Sequence, residues 1–162
     1  MTTQEKAFEE IYRTNYPKVF RLCLGYTNGD DALSKDLAQE IFIKCWQNRQ
    51  SFRNDAKVST WIYKIAVNTC LLELRKKNTV PITDHLKHLE ASEDSASVSK
   101  EFQLQQLYQC IGKLNTHNKT IILLELEGLP QKEIAEIMGL SHEAIRVRVH
   151  RIKNELTQCV KK

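Results

Sequence analysis

The chain has 162 residues, 41% of them hydrophobic and 27% charged, with five glycines, three prolines and a net charge of +4. That length suits one ordinary domain or two small ones, and the composition is globular rather than disordered. Scarce glycine and proline leave long stretches without the punctuation that many short strands need, so the expected fold is all-α.

No apolar run approaches the roughly 20 residues of a membrane span, and the polar start "MTTQEKAFEEIYR" has no signal-peptide apolar core. The expectation is a cytoplasmic protein without membrane insertion. Cys23, Cys45, Cys70, Cys110 and Cys159 are scattered, odd in number and never arranged as C-x-x-C. Reduced thiols at mostly buried helix positions are expected, rather than a disulfide framework or a zinc site. His85 and His88 form a lone H-x-x-H with no cysteine nearby, so no metal and no cofactor is expected.

The opening helix is "TTQEKAFEEIYRTNY" (Thr2–Tyr16), with Pro17 marking a kink or a new start. A turn at Asn28–Asp31 leads into a helix over Asp31–Asn48. Leu37, Ala38, Ile41, Phe42 and Cys45 share its core face. Asp36, Gln39, Glu40, Ile43, Lys44 and Gln47 share the opposite face. A single exposed isoleucine is ordinary, but an isoleucine framed by Asp, Gln and Glu also fits the apolar centre of a protein-docking patch.

A polar loop (Ser51–Thr60) precedes a helix over Val58–Lys77. Trp61, Ile62, Ile65, Ala66, Thr69 and Leu72 cluster on one side. Lys64, Asn68, Leu71 and Arg75 form a separate stripe with Trp61 at its edge. That stripe is either a solvated face or a nucleic-acid face, since a cation, an amide and a stacking ring together suit single-stranded bases.

Residues 79–96, "TVPITDHLKHLEASEDSA", contain Pro81, are rich in Ser, Asp and Glu, and read as an acidic flexible linker. Two small helical domains, residues 1–78 and 97–162, are therefore expected on either side. The second starts with a helix over Ser97–Leu114, whose core positions are Val98, Phe102, Leu107, Ile111 and Leu114. Another spans Asn118–Glu127 and ends at Gly128. Pro130 sits at the first turn of "QKEIAEIM", Gly139 closes it, and Ser141 caps a final helix.

Short helix, glycine turn, second helix is helix-turn-helix spacing. Ala135 is small where the helices approach, and Leu140, Ile145, Val149, Ile152 and Leu156 supply the inner face. The outer face carries Glu143, Arg146, Val147, His150 and Arg151. Arginine can grip phosphates or take a guanine edge with two hydrogen bonds. The motif marks DNA binding and not a function, because repressors and polymerase specificity factors both use it.

The first half narrows the choice. "DLAQEIFIKCW" (Asp36–Trp46) and "SFRNDAKVSTWIYKIAVNTCLLELRKK" (Ser51–Lys77) resemble region 2 of an extracytoplasmic-function (ECF) sigma factor of the sigma-70 family. "GLPQKEIAEIMGLSHEAIRVRVHRIKNEL" (Gly128–Leu156) resembles region 4 of the same family. The resemblance covers nearly the whole chain, in the family's order and across a linker. It implies a non-enzymatic initiation factor that binds core RNA polymerase, through the clamp helices of the largest subunit and the flap, and opens promoter DNA. Asp36, Gln39, Glu40 and Ile43 would dock on the polymerase. Phe52, Arg53, Asn54, Asp55 and Ala56 match the loop that captures a flipped base of the −10 element, and Lys64 and Asn68 match the surface reading that strand. Trp61 either buttresses the strand or fills the core. Glu143, Arg146, Val147, His150 and Arg151 would read the −35 element. Val147 stands where a small polar residue is common in the family, and His150 where an aromatic or apolar one is. An anti-sigma partner is also implied.

The alternative is a free-standing helix-turn-helix regulator. It would need a ligand-binding or phospho-acceptor domain or a dimerisation helix, and the N-terminal half shows neither βα alternation nor a Gly-rich site. A protein that merely mimics sigma would have no use for the Lys64–Asn68 stripe. Whether the two domains are clasped or splayed is open from the sequence.

Overall fold

The computed structural model describes residues 2–52, 57–77 and 95–161, the side chains of residues 77 and 95–99 excepted. Residues 79–94 of the linker assigned to 79–96, the His85–His88 pair, and the loop residues Arg53, Asn54, Asp55 and Ala56 lie outside them, as does the side chain of Val98, while residues 95 and 96 open a helix. The described residues form seven α-helices and one short 3-10 turn, with no strand among them.

Helix α1 (Thr3–Tyr26) starts from a capping box, in which Thr2 and Glu5 each satisfy the other's backbone N–H. The new start expected as one alternative at Pro17 does not occur, and α1 runs through it. Proline removes one helical hydrogen bond, yet packing on both sides of it keeps the helix continuous. Tyr12 and Tyr16 lie against Phe42, Tyr16 stacks on Phe20, and Val19, Leu22, Cys23 and Tyr26 are buried beyond the proline.

Helix α2 (Asp31–Gln47) is capped by Asp30, whose carboxylate accepts from the Leu33 N–H at 3.1 Å. Its buried face holds Leu37, Ala38, Ile41, Phe42 and Cys45, as the periodicity requires. The 3-10 turn Arg49–Ser51 follows, with the Arg49 guanidinium 3.8 Å from the Trp46 ring centroid.

Helix α3 (Val58–Lys77) departs from its sequence reading. Ile62, Ala66 and Thr69 are buried as expected, but so are Tyr63, Val67 and Cys70, while Leu72 is 45% exposed. A single amphipathic stripe underestimates this helix because it is covered from two directions. It packs on α1 and α2, and on the opposite side meets the C-terminal half.

Helix α4 (Ser95–Gly112) begins two residues before the expected start and ends two before the expected finish. Phe102, expected in the core, is 61% exposed. Residues from Glu101 to Leu104 are all exposed, and the helix enters the core only near its C-terminal end, at Cys110 and Ile111. Helices α5 (Thr116–Leu126), α6 (Gln131–Met138) and α7 (His142–Lys161) complete the chain. Helix α7 packs on α4, α5 and α6.

The two halves share one continuous core. Helix α1 packs on α4 and α5, and α3 packs on α6. Gly25 permits the closest approach, since a Cβ there would overlap the Leu123 side chain. The Tyr26 hydroxyl bonds the hydroxyl of Thr120, which donates its own proton to the Thr116 carbonyl at 2.9 Å. The chain is thus clasped rather than splayed.

One further expectation is corrected. Cys110 and Cys159 are not free thiols but a disulfide, with Cα atoms 6.0 Å apart and a sequence separation of 49. No local spacing announces this pair, which exists because α4 and α7 lie side by side. Cys23, Cys45 and Cys70 are free and buried, as expected. Burial pushes the Cys45 thiol up to about 12.

Candidate nucleic-acid and polymerase interfaces

Helix α6 stops at Gly139, whose φ of 69° lies in the left-handed region open to glycine. The Leu140 N–H returns to the Ala135 carbonyl at 3.0 Å, and Ser141 Oγ accepts from the Ala144 N–H at 3.1 Å to start α7. Ile134, Ala135, Ile145, Val149, Ile152 and Leu156 are buried and fix the angle of the hairpin. Leu140 is half-buried.

That packing turns Glu143, Arg146, Val147, His150 and Arg151 outward, all exposed. They recur at i, i+3, i+4, i+7 and i+8, one face of a helix about 12 Å long at 1.5 Å per residue. A B-form major groove admits such a face. The five are not equivalent. Arg146 is held by Glu143 at 3.3 Å, and His150 lies 3.4 Å from the Asn154 amide. Arg151 has no ion-pair partner among the described residues and is free to engage an anion. Lys153, on the same helix, is drawn aside by Glu125 at 3.3 Å.

A second exposed face lies on α3. Lys64 and Asn68 stand one turn apart, both exposed. Trp61 is half-buried, and its ring lies 5.3 Å from that of Phe52. Trp61 packs against the core, in line with the core-filling reading, and its ring also meets Phe52 at the start of the loop. At the other end of the loop, Lys57 is tied to Glu133 of α6 at 3.0 Å. The sequence reading missed that tie.

A third face lies on α2. Asp36, Gln39 and Ile43 are exposed, Ile43 by 51%. Glu40 is partly covered and pairs with Lys44 at 3.6 Å, and Lys44 also donates to Thr69 Oγ1 of α3 at 3.3 Å. An apolar centre in a polar ring results, held in place by α3.

The sequence reading also missed the polar clasp between halves. Arg21 of α1 makes a two-pronged pair with Glu127, Nε to Oε1 and a terminal nitrogen to Oε2, each 2.9 Å. No group of metal-binding side chains is assembled among the described residues, and no helix there is long and apolar enough to cross a membrane.

The Sigma-70 region 2 family model matches residues 11–80, which carry the α2 and α3 faces. The Sigma-70, region 4 model matches residues 104–156, which carry the helix-turn-helix. An ECF RNA polymerase sigma-E factor of Haemophilus influenzae is 31% identical, over 92% of this chain and 85% of its own length. The chain belongs to the ECF sigma factors of the sigma-70 family. The RNA polymerase sigma factor YlaC of Bacillus subtilis is 29% identical to this sigma factor, over 93% of it and 90% of YlaC.

Two solved structures share its fold. RpoE of Bartonella quintana, in complex with the anti-sigma factor NepR, gives a TM-score of 0.77 at 21% identity, over 96% of this sigma factor and 98% of that chain. CnrH, in complex with the cytosolic domain of CnrY, gives 0.74 at 18% identity, over 97% and 89%.

Proposed function

We propose that this ECF sigma factor works as a two-handed promoter reader. It binds core RNA polymerase, recognises the −35 element as duplex and the −10 element as opened strand, and thereby promotes strand opening for initiation. The observation that carries this reading is the presence, on one chain, of an exposed helix-turn-helix face, a separate exposed cation–amide face and an apolar patch in a polar ring.

Residues 1–78 form the polymerase-binding and −10 unit. Asp36, Gln39, Glu40 and Ile43 dock on the clamp helices. Phe52 and the neighbouring residues Arg53, Asn54, Asp55 and Ala56 take the flipped base, and Lys64 and Asn68 hold the strand. Residues 97–162 form the −35 unit, which also meets the flap and reads DNA through Glu143, Arg146, Val147, His150 and Arg151. Residues 79–96 tether the two. Strand opening needs no bond chemistry, so the factor is not an enzyme. Flipping a base out of the stack costs a few kcal/mol. A protein that binds only the opened strand offsets that cost and moves the melting equilibrium by its differential affinity.

The clasp bears on this function. Elements named −35 and −10 lie about 25 base pairs apart, roughly 85 Å of duplex at 3.4 Å per pair. A compact chain of this length has a radius of gyration of about 15 Å. Both hands can engage one promoter only after the halves part, and about 18 extended linker residues span on the order of 60 Å. Acidic Asp84, Glu90, Glu93 and Asp94 suit a tether passing through a channel that holds RNA. An anti-sigma factor is the natural partner of the clasped form, in keeping with the bound partners of RpoE and CnrH. The site of action is the cytoplasm.

The test is reconstitution. Core polymerase with this chain should give specific transcripts from a genomic promoter library, and the chain should co-migrate with core enzyme. No specific transcript together with no binding to core enzyme would remove the reading.

A further inference from the structure

The Cys110–Cys159 pair is set apart from the other three cysteines by position. Cys23 and Cys70 lie with their sulfurs 4.0 Å apart, but both are sealed in the core, as is Cys45. A buried thiol is a poor reagent because the thiolate is the nucleophile and burial disfavours it. Contact with Cys23 and burial push the Cys70 thiol well up. Cys159 stands at a half-buried position in the last turn of α7, while Cys110 lies beneath it in the core at 6% exposure. The Cα separation of 6.0 Å falls in the range a disulfide spans without backbone movement. One sulfur is reachable, its partner is already in place, and the remaining thiols are shielded.

We propose that Cys110 and Cys159 are a reversible oxidation site, a dithiol closed by low-molecular-weight disulfides and reopened by thiols, that fastens the recognition helix α7 to α4. The Cys159 thiolate attacks one sulfur of the small disulfide; the new S–S bond forms, the reagent's own bond breaks, and one small thiolate leaves. The Cys110 thiolate then attacks Cys159 Sγ and expels the second small thiolate. Each cysteine loses one proton, which the departing thiolates take up. The protein is oxidised by two electrons and the reagent reduced by two.

The bond closes a loop that contains α5, α6 and most of α7, which is the whole helix-turn-helix. Cross-linking such a loop limits the unfolded chain far more than the folded one. The closed site therefore lengthens the life of the DNA-reading half under oxidising conditions without altering the exposed faces of Arg146 and Arg151. Its consequence for promoters rests on the function proposed above, but the modification itself does not.

The experiment uses the full chain, reduced with dithiothreitol, freed of it, and exposed to oxidised glutathione under native conditions. Intact mass and differential alkylation should show loss of two hydrogens, a Cys110–Cys159 bond, and Cys23, Cys45 and Cys70 unmodified. Cys110→Ala should instead accumulate one glutathione adduct on Cys159, and Cys159→Ala should stay unmodified. Oxidation of the unaltered chain should raise its unfolding midpoint by roughly 5–10 °C, reversed by dithiothreitol. Adducts on the three core cysteines in folded protein, no trapped adduct in Cys110→Ala, or equal midpoints for the oxidised and reduced chain would overturn the proposal. Failure of the promoter reading would appear in transcription and leave these results unchanged.

Discussion

Arg21 and Glu127, 106 positions apart, meet as a two-pronged ion pair whose arginine is half in solvent and whose glutamate side chain is only 8% exposed. The pair acts on Tyr63 and Tyr108, both phenols raised first by burial and then by the Glu127 charge. The Tyr63 hydroxyl is buried without a hydrogen-bond partner among the described residues. Glu127 raises the Arg21 pKa chiefly through the hydrogen bonds between them. Removing the arginine strands a nearly buried carboxylate, whereas removing the glutamate frees a cation that water can reach. Arg21→Ala should therefore weaken closure more than Glu127→Gln, by about 1–2 kcal/mol after allowance for solvent around Arg21. Scattering at several salt concentrations measures the shift, and equal radii for both variants and the parent would refute it.

Gly25→Leu is a sharper wedge. Its side chain would fill the space held by Leu123, while replacement of a helical glycine improves helix propensity by roughly 1 kcal/mol. The expected result is an unchanged helical signal with an enlarged radius of gyration. An unchanged radius would mean that Gly25 does not control the approach of the halves.

Much of this architecture was legible in the sequence. Helix α2 showed its core face through Leu37, Ala38, Ile41, Phe42 and Cys45 because it is buried on one side. The α6–Gly139–α7 hairpin was legible because capping and left-handed turns use few residue types. Tyr63, Val67 and Cys70 on α3 were not, since a helix covered from two directions has no single stripe. Phe102 misled because periodicity assigns a face and not the distance along the helix at which packing starts. Pro17 does not start a new helix because tertiary packing outweighed one lost hydrogen bond. Arg21–Glu127, Lys57–Glu133 and Cys110–Cys159 depend on how separate helices meet, which no local pattern encodes.

Ile43 tests the proposed polymerase-docking face. At 51% exposure it contributes little to the core, so Ile43→Glu should leave the unfolding midpoint within a degree or two. Binding to core polymerase should weaken by about 2 kcal/mol, as for a central apolar anchor. A large fall in stability with unchanged polymerase affinity would return Ile43 to a structural role.

Lys119 supplies a pH-dependent test of stability. Its side chain is buried in the first turns of α5, and that burial lowers its pKa from 10.5. The unfolded chain therefore binds more protons between the depressed folded value and 10.5, and stability rises with pH across that window. Lys119→Met should raise the unfolding midpoint at pH 7, with the advantage shrinking as pH approaches 10.5. A constant advantage at every pH would mean that the charge is not what costs stability.

Within the proposed duplex-reading face, Arg151→Ala should cost about 1–3 kcal/mol of −35 affinity. Arg146→Ala should cost less, because Glu143 already occupies its guanidinium at 3.3 Å. Duplex titrations at two salt concentrations separate the two residues, and an equal loss would show that the Glu143 pair does not persist on DNA.

The division of labour between the two hands is tested most directly on a premelted promoter template lacking a −35 element, with core polymerase and either Asn68→Ala or Arg151→Ala. The account predicts that Asn68→Ala loses on the order of tenfold in stable complex, as expected for a hydrogen bond made only to the opened strand, while Arg151→Ala matches the parent chain. Equal defects in the two variants on that template would contradict it.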